Sequence, residues 1–277
     1  SWKKDGHAYY RLKGPICHEL LVNEFVYQDG ERPLHAIVTD VTGRGAVLRT
    51  LRDYAHHRNS VWGITARNRE QNFALNLLMD PEIDFVTLLG QAGTGKTLLT
   101  LAAGLAQTMD AKTYSEIIIT RVTVPVGEDI GFLPGTEEEK MTPWMGALED
   151  NLDVLNASDE SGGEWGRAAT RDLVRSRIKI KSLNFMRGRT FLRKFLIIDE
   201  AQNLTPHEVK TILTRAGEGT KVIFTGDPHQ IDNPYVDSSS NGFNYLISKF
   251  RDHAIAAHIE LQRGERSDLA ELAANVL

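Results

Sequence analysis

The chain contains one cysteine, Cys17, in 277 residues. A lone thiol excludes an intrachain disulfide framework and a cysteine-rich metal site. It fits a reducing, cytoplasmic setting and reads as a small core residue. No apolar run approaches the roughly 18 residues needed to span a bilayer. The opening residues Ser1-Trp2-Lys3-Lys4-Asp5 are polar, so no signal peptide is expected. The initiator methionine is missing, which suggests a fragment or a processed chain. His18-Glu19 and His207-Glu208 lack the second histidine of a zinc-binding helix, and His56-His57 have no acidic or cysteine ligands nearby. Repeats and low-complexity segments are also missing.

Apolar material is ample. With 41% hydrophobic and 25% charged residues, the chain can build one large α/β domain with a small appendage, or two modest domains. A net charge of −5 argues against nucleic-acid binding over the whole surface. The charge is unevenly placed, however. Residues 171–194 carry nine basic side chains against one acid, Asp172, whereas residues 128–164 carry eleven acids against one base, Lys140. This asymmetry fits either a local positive groove or an intramolecular match between the two segments.

Residues 1–60 read as a small antiparallel β module. Short alternating segments (18–27, 34–40 and 46–51) are separated by turns at Asp29-Gly30 and Gly43-Arg44-Gly45. From residue 61 to 277 strands and helices alternate, which predicts a mostly parallel sheet covered by helices on both faces. Helices are expected over 70–79, 98–108 and 243–250, and from Ser267 onward. Strands are expected over 85–89, 116–120, 178–183, 195–198, 221–225 and 257–261. Residues 122–176 form an acidic insertion, in which Trp144 and Trp165 suit either base stacking or buried anchoring. Thr205, Pro206 and Glu208 specify a capping box with proline in the first helical turn, flanked by Leu204 and Val209 as a hydrophobic staple.

The strongest chemical signal is Gly90-Gln91-Ala92-Gly93-Thr94-Gly95-Lys96-Thr97, between a buried strand and a helix that opens at Leu98. It matches the phosphate-cradling pattern G-x-x-x-x-G-K-[ST]. Its glycines let successive backbone N–H groups turn toward a β-phosphate, helped by the partial positive charge of the helix N-terminus. Lys96 would reach the β- and γ-phosphates, and the Thr97 hydroxyl would ligate Mg²⁺. The second signal is Asp199-Glu200, two carboxylates at the end of the apolar run Phe195-Leu196-Ile197-Ile198. Asp199 would hold Mg²⁺ and Glu200 would polarise an attacking water. Thr225-Gly226-Asp227-Pro228-His229-Gln230 ends the next strand, where Gln230 either contacts the γ-phosphate or is the solvated end of a Gly-Asp-Pro turn. Arg263 and Arg266 either stabilise charge on the transferred phosphate or are surface arginines. The guanine-reading string Asn-Lys-x-Asp is lacking, which favours adenine nucleotides.

In order, these strings resemble the PhoH-like ATPases, a RecA-type family close to superfamily 1 helicases. The resemblance runs from about residue 65 to the C-terminus. It also includes Gly131-Phe132-Leu133-Pro134-Gly135 with Glu139-Lys140, Arg187-Gly188-Arg189-Thr190, Asp199 to Pro206, Thr225 to Asp232, and Gly264-Glu265-Arg266-Ser267. It implies a RecA-like P-loop NTPase core that hydrolyses ATP with Mg²⁺ while binding or unwinding single-stranded RNA, assembled as a homo-oligomeric ring. By carry-over, Gln71 resembles the adenine-reading glutamine and Arg266 the arginine acting on the γ-phosphate. Arg121, Arg187 and Arg189 form the expected nucleic-acid surface. The terminal Gly264-Glu265-Arg266-Ser267 with Leu269-Ala270-Glu271-Leu272-Ala273 is similar to the fusion branch, in which a PIN ribonuclease domain stands upstream. That domain's carboxylate site cannot be located here, so ribonuclease activity is not expected of these residues. Two other readings use the same loop: a small-molecule phosphotransferase, and a regulatory module whose nucleotide serves assembly with slow, RNA-indifferent turnover.

Overall fold

The computed structural model describes residues 1–31, 33–122, 173–186 and 188–264. Two sheets organise these residues. The first is antiparallel and built from β1 (Trp2–Lys4), β2 (His7–Lys13), β3 (Phe25–Gln28), β4 (Leu34–Thr42) and β5 (Gly45–Thr50), in the order β1-β2-β5-β4-β3. A bulge between Val38 and Asp40 shifts the β4–β5 register. The expected module is there, but the β1–β2 hairpin was not foreseen. Its strands mix aromatic and basic residues and show no apolar alternation.

The second sheet has six strands: β6 (Phe85–Gly90), β7 (Glu116–Arg121), β8 (Ile178–Ile180), β9 (Lys194–Asp199), β10 (Lys221–Gly226) and β11 (Ala256–Leu261). They lie in the order β11-β6-β10-β9-β7-β8, and every described pairing is parallel. Alternate residues of these strands point to opposite faces. One face buries Val86, Leu88, Ile117, Phe195, Ile197 and Ile223 against α1 (Arg69–Met79) and α2 (Lys96–Leu105). The other buries Phe85, Ile118, Leu196, Ile198, Val222 and Phe224 against α3 (Pro206–Leu213) and α4 (Gly242–Phe250). The result is a three-layer sandwich with the sheet in the middle. Because both faces are covered, the strands are apolar runs rather than alternating ones.

Local rules place most of the ends. Asn68 caps α1 by accepting from the Gln71 N–H, and Thr205 and Glu208 form the full capping box of α3. The α2 helix is shorter than the 98–108 expected and begins earlier, at Lys96. It continues as a single π-helical turn over Ala106–Asp110. The strand expected over 178–183 stops at Ile180, followed by a 3-10 turn over Leu183–Met186. Cys17 is buried, as expected of a small core residue. Nearly all of the acidic insertion, with Trp144 and Trp165, lies outside the described residues, as does the helix expected from Ser267. Among the described residues no helix is long and apolar enough to cross a membrane.

The two sheets meet at α1. Phe25 of β3 stacks on Phe73 with ring centroids 4.2 Å apart, and Ile37 of β4 joins the core beneath α1 and α2. Arg49 of β5 pairs with Asp80 at the end of α1, and the Arg69 guanidinium lies 3.8 Å over the Tyr27 ring. Behind Asp80 sits Lys221, only 1% exposed, whose Nζ donates to the carbonyls of Leu77 (3.0 Å) and Asp80 (2.7 Å). Burial pushes the Lys221 ammonium down from its ordinary value of 10.5 to about 7, against the opposing pull of Asp80 and Asp84.

Lys221 gives a prediction about stability. Between about pH 7 and 10.5 the unfolded lysine holds a proton that the folded one has lost, so its contribution makes the protein more stable as pH rises through that window. Lys221→Met should flatten the rise in urea midpoint across this range. An equally steep rise in the variant would show that the group titrates elsewhere.

Candidate nucleotide site

β6 ends at Gly90, and the chain loops through Gln91 to Gly95 before α2 begins at Lys96. Two glycines are required by the geometry. At Gly90 (φ 155°) an added Cβ would lie 2.6 Å from the Leu261 carbonyl oxygen. At Gly95 (φ 92°) it would lie 3.2 Å from Gln71 Nε2, in a left-handed conformation that disfavours side chains. The Thr94 hydroxyl donates to the Gln91 carbonyl at 2.8 Å and braces the curl. Lys96 folds back over the loop, its Nζ donating to the carbonyls of Gly90 (2.5 Å) and Gln91 (2.9 Å). A full positive charge therefore stands over the loop, beside the N-terminus of α2. Thr97 follows on the first turn, half-buried, and Leu98 packs partly into the core.

Gln71 lies behind this loop rather than at its open mouth. It is buried, donates from Nε2 to the Thr94 carbonyl at 3.1 Å and accepts at Oε1 from the Arg67 N–H at 2.9 Å. Its amide ties the loop to the segment before α1. Adenine reading by Gln71 would have to share the amide with both bonds, using its second hydrogen and second lone pair.

The two carboxylates occupy the end of β9. Asp199 is 8% exposed and accepts from the Thr225 hydroxyl of β10 at 2.6 Å. Glu200 turns out of the strand with φ 55°, a left-handed conformation that costs a non-glycine residue about 1–3 kcal/mol and is typically found at functional sites. Donors hold both carboxylate oxygens. Arg121, at the end of β7, donates to Oε1 at 3.0 Å, and Gln202 Nε2 donates to Oε2 at 2.6 Å. The expectation for Arg121 changes accordingly. Because β7 and β9 are neighbours with Arg121 opposite Asp199, its guanidinium is paired with Glu200, and any nucleic-acid contact would share it with that carboxylate.

Sequence reasoning missed the linking residue, Gln202. Besides holding Glu200, its Nε2 donates to the Gln230 carbonyl at 2.8 Å, and its Oε1 accepts from the Asp227 N–H at 3.2 Å. Gly226 leaves room for it: a Cβ there would lie 2.7 Å from Gln202 Oε1. Asn203 continues the link, accepting at Oδ1 from the N–H groups of Asp232 (2.8 Å) and Asn233 (3.1 Å). The ends of β9 and β10 are thus stitched together through side-chain amides. The string Asp-Glu-Ala-Gln-Asn placed these residues in order, but only the adjacency of β9 and β10 reveals their partners. The Gln230 side chain itself is exposed beside this stitch, and Arg189 and Arg263 are also exposed. Arg187 and Arg266 lie outside the described residues.

Register aligns these parts. Leu89 of β6 pairs with Gly226 of β10, and Phe224 of β10 pairs with Ile198 of β9, so loop and carboxylates share one sheet edge with a single strand between them. Parallel sheets place ligands outside this carboxyl edge. The oxygen donors of Thr97 and Asp199 suit a hard divalent cation such as Mg²⁺. Among the described residues no group of three His, Cys, Asp or Glu side chains could hold a metal. A cation here would draw its other ligands from phosphate and water.

A parallel sheet covered on both faces, with a lysine-bearing phosphate loop and a strand-end carboxylate pair on one edge, defines a P-loop NTPase fold of RecA-like type. The chain belongs to the PhoH-like protein family, whose model matches residues 63–276. It is 44% identical over 264 residues to Protein PhoH2 of Bacillus subtilis, covering 94% of this chain and 58% of that protein. It is 39% identical over 220 residues to Protein PhoH2 of Mycolicibacterium smegmatis, covering 78% of this chain and 48% of that one. The chain thus spans about half the length of these curated relatives. Pif1 helicase from Candida albicans is a distant structural likeness, with a TM-score of 0.37 and 15% identity over 76% of this chain and 43% of that chain.

The Gln202 bridge predicts a turnover defect with binding intact. With Glu200 in the water-orienting role its sequence position suggests, Gln202→Ala should lower any hydrolysis rate by about tenfold to a hundredfold, since small misplacements of a reacting group have effects of that size. Nucleotide affinity, followed by a fluorescent analogue, should stay within a few-fold of the parent. Wild-type turnover would mean that Glu200 is positioned by other contacts.

Proposed function

We propose that this chain hydrolyses ATP with Mg²⁺ and couples hydrolysis to single-stranded RNA. The observation that carries the reading is the placement of Lys96 and Asp199-Glu200 on one edge, with Thr225 of the intervening strand bonded to Asp199 at 2.6 Å. A bound Mg²⁺ would supply neutralisation of phosphate charge. Thr97 and Asp199 are the residues that would hold it. Lys96 moves from the loop carbonyls to the phosphates, trading two neutral acceptors for anionic ones. Glu200 orients and polarises the attacking water through the lone pairs left free by Arg121 and Gln202. Gln202 and the Asp227–Gln230 turn carry any shift at Glu200 to the adjacent strand end, where Gln230 meets the γ-phosphate.

In this reading Gln71 contributes to adenine recognition, and Arg263 or Arg266 supplies positive charge to its own site or to a neighbouring subunit's. A ring of copies supplies that neighbour. The exposed Arg189, together with Arg187, contributes to the RNA surface. A PIN ribonuclease domain stands upstream in the full-length protein, and the assembly works in the cytoplasm. The fold, the family and the order of the motifs support the nucleotide roles among these points.

Lys96→Ala should abolish hydrolysis, and Glu200→Gln should retain ATP binding while turnover falls by at least a hundredfold. Rates taken with and without oligouridylate, beside light scattering for mass, test the coupling. RNA stimulation in a ring-sized particle supports it. RNA-indifferent turnover, or a phosphorylated small-molecule product, would overturn it. Wild-type hydrolysis by Glu200→Gln would remove the role given to that carboxylate.

A further inference from the structure

The antiparallel sheet uses only part of one face to reach the NTPase core. On the β3–β4–β5 side of that face, Phe25, Ile37 and Arg49 meet α1 and the core beneath it. Register continues the same face outward. Arg49 pairs with Tyr9, Tyr9 with Trp2, and Lys4 with His7. Arg11 and Lys13 follow Tyr9 at every second residue of β2, so they share this face. The outer half thus presents Trp2, Lys4, His7, Tyr9, Arg11 and Lys13.

Two properties of this half-face call for a ligand. Trp2 stacks on Tyr9 with centroids 5.3 Å apart and planes 13° from parallel, yet it stays 42% exposed. The Arg11 guanidinium lies 5.9 Å from the Trp2 ring centroid. The charge is also one-sided. Lys4, Arg11, Lys13 and Arg44 cluster on β1, β2 and the β4–β5 turn, and none has a salt bridge among the described residues. The nearby acids are Asp5, in the β1–β2 turn, and Asp40, one strand beyond Val47, which itself pairs with Arg11. The protein as a whole carries −5, so this patch opposes the net charge. Aromatic rings interleaved with cations on an open sheet match single-stranded nucleic acid, whose bases stack and whose phosphates attract the cations.

We propose that the outer half-face of β1 and β2 is a second binding surface for single-stranded nucleic acid. Trp2 and Tyr9 stack bases there, and Lys4, Arg11 and Lys13 neutralise phosphates. This rests on the RNA coupling proposed above and extends it to a module outside the NTPase fold. Because the Phe25–Phe73 stack and the Arg49–Asp80 pair tie the two sheets together, a strand held here is fixed relative to the nucleotide site.

The test is fluorescence anisotropy of fluorescein-labelled oligouridylate against the intact chain over a salt series. Lys4→Gln/Arg11→Gln/Lys13→Gln should weaken binding about tenfold or more at 0.1 M salt. It should also lower the slope of log K against log salt by about 2, at roughly 0.7 per lost phosphate contact. Trp2→Ala should weaken binding about tenfold, and Trp2→Phe should recover most of the loss. The charge variant leaves the Trp2–Tyr9 stack in place, so it reads the surface even if Trp2→Ala unfolds the hairpin. Wild-type affinity and slope in the charge variant, while the parent binds oligouridylate and is stimulated by it, would overturn this surface alone. A parent that neither binds nor responds to oligouridylate would overturn the RNA coupling and this surface together. Displacement of the probe by polyglutamate as readily as by unlabelled oligouridylate would mark a general polyanion patch and overturn the assignment.

Discussion

The parallel hydrogen-bonded register of β6, β10 and β9 is the constraint on which the rest depends. It sets the end of β6 one strand away from the end of β9, and it puts Thr225 within bonding distance of Asp199. A slip of one residue in either pairing would turn every side chain of the strand to the opposite layer. Burial on both faces resists such a slip, because Leu196 and Ile198 belong to one core and Phe195 and Ile197 to the other. The packing of four helices on two faces therefore sets the geometry of a site that contains none of those core residues.

The site is polar, and its charged groups are bonded to protein neighbours. Lys96 is held by loop carbonyls, Asp199 by Thr225, and Glu200 by Arg121 and Gln202. The Lys96, Thr225 and Arg121 bonds join different elements, whereas the Gln202–Glu200 bond closes within the turn that follows β9. The left-handed Glu200 marks where the chain leaves the sheet, and Gln202 and Asn203 carry the connection to the turn after β10. The amides thus form a contiguous chain of directional contacts between the two strand ends.

Much of the fold was legible because its signals are local. The apolar run before Gly90 and the one ending at Ile198 announced buried parallel strands, and Thr205-Pro206 with Glu208 announced the start of α3. The β1–β2 hairpin was not legible, because Trp2, Tyr9 and Arg11 follow no alternation of apolar and polar residues. Their exposed face is filled with side chains that elsewhere would suggest either core or solvent. Within the site, the phosphate loop and the carboxylate pair stood out by their spacing, and the Gln230 turn drew its meaning only from following them in order. The partners of Arg121 and Gln71 could not be read from spacing. Arg121 was expected to face nucleic acid, and parallel pairing of β7 with β9 brings it to Glu200, while Gln71, expected to read adenine, bonds the Thr94 carbonyl of the loop.

Sequence alone determined which residue types stand in the candidate site and that they follow buried strands, since glycine, lysine and carboxylate spacing reflects backbone rules acting over a few residues. Only the tertiary structure decided which of these strand ends became neighbours. That depends on strand order, and strand order is set by long-range burial of two separate apolar faces, which no short stretch of chain contains.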